Sequence, residues 1–116
     1  MIVPVLRYVD TEAGLAFLVE GLGFELAGEA ERNDAGAIVH AELNRGDAWV
    51  MLSTTDTPMT AEAYLVDDDP DTLFDRAVTA GATTVYEPKD QPYGSREFAV
   101  TDPGGITWYV GTYTPG

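Results

Sequence analysis

The sequence predicts an α+β fold of two tandem βαβββ units, curled into a barrel-like mixed sheet around a cleft. Three observations carry this. Two helical stretches each follow one β-rich segment and precede three more. Tyr8-Val9-Asp10 before the first helix matches Leu65-Val66-Asp67 before the second, and Leu22-Gly23-Phe24 after it matches Ala80-Gly81-Ala82. Gly46-Asp47-Ala48-Trp49-Val50-Met51 likewise matches Gly105-Ile106-Thr107-Trp108-Tyr109-Val110. A unit that occurs twice makes a pseudo-twofold domain, because a solenoid needs about three or more. One domain is therefore expected over 1–116, with the first repeat at about 1–55 and the second at about 60–116.

The elements follow in order. Ile2–Tyr8 is β-rich, with Pro4 marking a strand start or edge. Asp10 is suited to cap a helix over Thr11–Leu22, whose apolar side is Leu15, Phe17, Leu18 and Leu22 and whose stop is Gly23. Phe24–Arg32, Ala37–Asn44 and Ala48–Ser53 are strands, joined by turns at Asn33–Gly36 and Arg45-Gly46-Asp47. After a linker at Thr54–Thr60 the order repeats. Ala61–Val66 is a strand, and Asp69-Pro70 starts a helix with the stripe Leu73, Phe74, Ala77 and Val78, ending at Gly81. Ala82–Glu87, Ser95–Thr101 and Ile106–Thr112 are strands, separated by a loop at Pro88–Gly94 and a turn at Asp102-Pro103-Gly104-Gly105.

Composition narrows the function. The net charge is −14, from 20 acids against 6 Lys plus Arg. Nucleic acid is excluded as a partner, since binding it rests on cations neutralising phosphates. An anionic membrane surface is excluded for the same reason, and the apolar runs are too short to span a bilayer. No secretory leader is recognisable, so a cytoplasmic location is expected. An acidic surface keeps a protein soluble, and it also attracts a cationic ligand. Without cysteine there is no disulfide, thiolate metal site or Cys nucleophile.

Tyr93-Gly94-Ser95-Arg96-Glu97-Phe98 running through Thr101-Asp102-Pro103-Gly104-Gly105-Ile106-Thr107-Trp108 resembles the C-terminal signature of the vicinal oxygen chelate superfamily. That superfamily includes glyoxalase I, extradiol dioxygenases and the bleomycin-resistance binding proteins. Leu6-Arg7-Tyr8-Val9-Asp10, Phe17, Leu22-Gly23-Phe24-Glu25, His40-Ala41-Glu42-Leu43 and Gly46-Asp47 are similar to the rest of its pattern. The resemblance implies a homodimer, in some relatives with whole units exchanged between chains. It also implies four cleft-facing positions that hold a metal in the metal-dependent members. Here they fall at Val3, near Val50, near Ala61 and at Tyr109, none of which binds a divalent ion. A slip of one residue brings only Ile2, Pro4, Trp49, Met51, Trp108 and Val110, and Glu62 or Thr60 serves one corner at most. With a single histidine, a two-His facial triad is impossible. No metal and no cofactor are expected.

The remaining candidates are few. His40 is the sole imidazole, and Glu42, two residues on, lies alongside it on one strand face, so the pair could serve as acid and base or as a structural contact. Neither Ser53 nor Ser95 sits in a nucleophile elbow. Arg7 shares parity with Val3 and Val5, which aims it into the cleft to clamp a carboxylate or phosphate; pairing with Glu97 or an Asp is the alternative. Arg96 is a second such cation. Trp49 and Trp108 are expected to pack under the helices, leaving Val50 and Tyr109 facing the cleft, with Tyr93 on a loop over its mouth. The expected ligand contacts are thus Arg7, Val5, His40 and Val50 in the first repeat. Leu65, Tyr93, Arg96 and Tyr109 supply those of the second. The function expected is metal-free binding of a small organic molecule, cationic or aromatic, as in drug sequestration. The alternative is an isomerase or lyase using His40 or Glu42.

Overall fold

Both helices start where an aspartate can satisfy the first free N–H groups. The Asp10 carboxylate accepts from the Ala13 N–H at 3.1 Å and opens α1 (Thr11–Leu22). The Asp69 carboxylate accepts from the Thr72 N–H at 3.3 Å and the Thr72 hydroxyl at 2.7 Å, opening α2 (Pro70–Thr79) with proline in its first position. The computed structural model describes residues 1–116. Its strands are β1 (Val5–Tyr8), β2 (Glu25–Arg32), β3 (Ile38–Arg45), β4 (Ala48–Thr54), β5 (Glu62–Val66), β6 (Thr83–Asp90), β7 (Arg96–Thr101) and β8 (Thr107–Gly111).

The strands form two curled, four-stranded sheets that do not close on each other, in the orders β1-β4-β3-β2 and β5-β8-β7-β6. In each, the strand before the helix pairs parallel with the last strand of the unit, and the other pairs are antiparallel. The α+β architecture of two βαβββ units is thus realised. One face of each sheet is covered by its helix. Leu6, Tyr8, Leu43 and Leu52 are buried there in the first unit, and Phe98, Val100, Trp108 and Val110 in the second. The Phe98 ring meets Phe74 of α2 edge-on, 5.3 Å between centroids. The opposite face of each sheet is left open.

The units are joined on the helix side, where α1 packs against α2. Arg76 of α2 donates to the carbonyls of Glu20 (2.6 Å) and Val19 (3.0 Å), placing a cation at the negative end of α1. Arg45 donates to the Asp67 carboxylate at 2.5 Å and to the Leu22 carbonyl at 2.9 Å. Deepest is Tyr8, whose hydroxyl donates to Asp102 Oδ2 at 2.6 Å; the same carboxylate accepts from Trp108 Nε1 and from the N–H groups of Gly104 and Ile106. Burial first, and the Asp102 charge second, push the Tyr8 phenol far above its ordinary pKa. A Cβ at Gly14 would lie 2.7 Å from the Tyr8 ring, and one at Gly104 would overlap it, so only glycine lets the ring pass between α1 and the β7–β8 loop.

Several expectations change. The first strand begins at Val5, not Ile2, and Met1 and Ile2 are almost fully exposed. The segment from Pro88 to Asp90 is strand, not loop: β6 continues through it by a register shift between Tyr86 and Lys89, a bulge that accommodates a residue with no N–H to donate. The largest correction concerns strand faces. The β3–β4 hairpin closes Arg45 against Ala48 across two residues, whereas β7–β8 closes Thr101 against Thr107 across five. The hairpin strings therefore match in sequence but are offset by three positions in the sheets. An odd offset turns a strand over. Val50 consequently faces the helix side at 6% exposure, not the open face, and Trp49 faces away from the core expected for it, while Trp108 is buried. No helix is long and apolar enough to cross a membrane.

Candidate functional site

The open faces carry chemistry-bearing side chains in rows fixed by strand register. Across the second unit one row reads Tyr64 (β5), Tyr109 (β8), Ala99 (β7), Tyr86 (β6). The bulge in β6 is what turns Tyr86 to this side. Thr84 still pairs with Val100 of the core-facing set, but Tyr86 pairs with Ala99. The Tyr86 and Tyr109 rings close over Ala99, which is fully buried, with centroids 6.4 Å apart.

Glu97 lies in the adjacent row and is 6% exposed. Its carboxylate accepts a very short hydrogen bond from the Tyr86 hydroxyl and bonds of 3.0 Å from the Tyr93 hydroxyl to both oxygens. Glu62, at the sheet edge, accepts from the Tyr109 hydroxyl at 3.3 Å. Three phenols thus donate to two carboxylates, and all three are shifted together. Burial, then the Glu97 contacts, raise Tyr86 and Tyr93 above the ordinary tyrosine value. The Glu62 charge leads for Tyr109, followed by burial. Lys89 Nζ lies 4.8 Å from the centroid of Tyr86, which shows that this wall accepts a cation on a ring face. The surface can stack a flat group and place a positive charge beside buried carboxylate.

The first unit presents a different row: Arg7 (β1), Ser53 (β4), His40 (β3), Glu31 (β2). Arg7 Nη1 donates to Ser53 Oγ at 3.3 Å, and His40 Nε2 lies 3.2 Å from Glu42 Oε2. Val5, Met51 and Glu42 make up the next row.

Of the residues singled out in the sequence, Arg7, Val5, His40, Glu42 and Tyr109 are on open faces, and Tyr93 reaches one from its loop. Val50, Leu65 and Arg96 are not. Val50 and Leu65 are buried on the helix side and border a cleft of about 250 Å³ between the units, with Pro4, Phe24, Trp49 and Trp108. Arg96 shares parity with Phe98 and is held at the first turn of α2 by two bonds to Asp71, of 2.7 and 2.9 Å, with Asp90 at 3.4 Å. That pairing holds the Asp71 carboxyl below its usual pKa and raises the guanidinium. Sequence reasoning missed Tyr86 and the central place of Glu97. The usable signal was a lone acid two residues before Ala99, directly ahead of the apolar run Phe98-Ala99-Val100.

No group of three or more His, Cys, Asp or Glu side chains is placed to hold a metal ion. The donors that reach the open faces do not fit one. Glu97 is engaged by two phenols, Glu62 by a third, and the single imidazole by Glu42.

Comparison with known proteins agrees with the geometry. An uncharacterized protein of Mycobacterium bovis is 32% identical over 93% of this chain and 80% of its own length. The crystal structure of TioX from Micromonospora sp. ML1 superposes with a TM-score of 0.85 at 29% identity, covering 97% of this chain and 98% of that one. The bleomycin-binding protein from bleomycin-producing Streptomyces verticillus, solved with copper(II)-bleomycin, superposes with a TM-score of 0.62 at 31% identity, covering 94% and 92%. The family model for the Glyoxalase/Bleomycin resistance protein/Dioxygenase superfamily matches residues 2–110, and the chain belongs to that superfamily.

Proposed function

We propose that this protein binds and sequesters a small planar organic molecule, without a resident metal, on the tyrosine-lined open face of its second unit. The observation that carries the proposal is the row Tyr64–Tyr109–Ala99–Tyr86 beside the buried Glu97 carboxylate. Aromatic walls supply area for a flat ligand, and the carboxylates favour a cationic one. The likeness to a bleomycin-binding protein supports the same class of ligand. The chain acts as one domain over 1–116, in the cytoplasm, and as a homodimer in which the open face of one unit is covered by another unit. The exposure of Val5, Tyr64 and Val66 on those faces supports such a cover.

Isothermal titration of the full chain against planar cationic and planar neutral compounds, bleomycin among them, tests the binding. Saturable binding of a planar cation at one site per chain is expected. Failure of every compound, together with native mass spectrometry that finds no co-purified small molecule, refutes the proposal. Light scattering in the same buffer reads the oligomeric state.

One observation favours a second reading, an isomerase or lyase that moves a proton. His40 Nε2 and Glu42 Oε2 lie 3.2 Å apart on an open face. Under it, His40→Ala abolishes turnover of a bound ligand followed by mass spectrometry; unchanged turnover, or none in the wild type, removes this reading.

A further inference from the structure

Five of the six cations in this chain are engaged. Arg32 meets Glu12, Arg45 meets Asp67, Arg96 meets Asp71, Arg76 meets the terminal carbonyls of α1, and Lys89 lies over the Tyr86 ring. Arg7 alone has its charge on neither a carboxylate, a carbonyl nor a ring, in a chain with 20 acids. Its one side-chain partner is the Ser53 hydroxyl, 3.3 Å away. Glu42, in the adjacent row of that face, is engaged by His40 instead.

Arg7, Ser53 and His40 sit side by side on three neighbouring strands, because Ser53 is the register partner of both others. A guanidinium fork, a hydroxyl and an imidazole therefore line up over about two strand spacings, roughly 10 Å. Val5 and Met51 form the row beneath, so apolar side chains flank the donors on a face that is open to solvent. An unpaired guanidinium in that setting matches one planar oxyanion, which it can hold through two parallel N–H bonds. Glu31 and Glu42 on the flank, and a net charge of −14, disfavour a dianion such as a phosphate monoester.

We infer that Arg7, Ser53 and His40 form a carboxylate subsite on the open face of the first unit, which receives an acidic group of the ligand. This rests on the reading that the protein binds a small organic molecule and on the homodimer proposed above, which brings the open face of another unit against this one, and it narrows that molecule to one carrying a carboxylate besides its flat part.

Two measurements test it. In the first, 9-aminoacridine and a 9-aminoacridine carboxylic acid are titrated into the full chain. The acid is expected to bind about tenfold more tightly. In Arg7→Gln that ratio falls to about one, and Arg7→Lys, which keeps the charge but loses the fork, retains part of it. Circular dichroism confirms that each variant folds. In the second, benzoate and phenyl phosphate are titrated while the Arg7 side-chain and Ser53 amide resonances are followed by NMR. Saturable shifts with benzoate, and weaker ones with phenyl phosphate, are expected. Equal affinities for the two acridines overturn the subsite and leave the binding function standing. Binding of benzoate at Arg7 with no binding of either acridine supports the subsite and counts against a planar cation as the rest of the ligand. Absence of any benzoate shift at Arg7 and Ser53 overturns the subsite by itself.

Discussion

The two open faces occupy equivalent places in the two units and carry opposite chemistry. Along the corresponding row, the first unit has Arg7, Ser53, His40 and Glu31, and the second has Tyr64, Tyr109, Ala99 and Tyr86. The helix-side rows do not diverge in this way. Leu6, Leu43 and Leu52 in one unit and Phe98, Val100 and Val110 in the other are all large, apolar and buried. A residue pressed under a helix must match the volume of its neighbours. A residue on a face with nothing opposite is free of that constraint. The duplicated scaffold therefore supplies two differently equipped walls, one hydrogen-bonding and charged, one phenolic.

That contrast between shared frame and divergent walls can be broken in graded ways. The largest effect is expected from the frame. Asp102→Ala leaves the Tyr8 hydroxyl, Trp108 Nε1 and two backbone N–H groups without their acceptor. At about 1–3 kcal/mol for each buried group left unsatisfied, a loss of about 4 kcal/mol or more is expected from urea unfolding. A loss under about 1 kcal/mol removes Asp102 from the joint. Next comes the phenolic wall. Glu97→Ala should weaken 9-aminoacridine binding about tenfold, or about 1.4 kcal/mol, whereas Glu29→Gln, which deletes an exposed charge on β2, should change it less than about twofold. Equal losses would mean that net charge, not the site, attracts the cation. Smaller again, Tyr109→Leu should cost about 1 kcal/mol of binding, the usual worth of one aromatic partner.

The smallest test needs no variant. The raised phenols of Tyr86, Tyr93 and Tyr109 keep their protons past the ordinary value near 10. Between that value and the native ones, the unfolded chain holds fewer protons than the folded chain. The stabilisation from these groups is therefore complete below pH 10 and is lost as pH rises above it. Absorbance at 295 nm should show tyrosinate forming later in the native protein than in urea. Coincident titration curves would contradict the hydrogen bonding of the phenolic wall.

Much of the fold was legible because its signals are local. Asp10 and Asp69-Pro70 mark helix starts through their own side chains, and alternation in the segment from Ile38 to Asn44 marks a strand. What was not legible depends on non-local pairing. The matching strings around Trp49 and Trp108 suggested one register, and the two-residue and five-residue turns imposed another. Tyr86 escaped notice because a bulge, invisible in the sequence, reverses its side. Arg7 and Tyr109 could be oriented because no bulge or turn separates them from the apolar residues that set parity on their own strands.

The Tyr8–Asp102 bond joins residues 94 positions apart. Each unit can pair its antiparallel strands from neighbours in sequence, but this clasp must wait until almost the whole chain has found its place. Contacts of such separation carry the largest loop-closure cost and form late. A late contact governs escape from the native state more than arrival. Tyr8→Phe should thus speed unfolding in stopped-flow measurements and leave the folding rate nearly unchanged, which makes one phenol of the first unit the latch on the lifetime of the second.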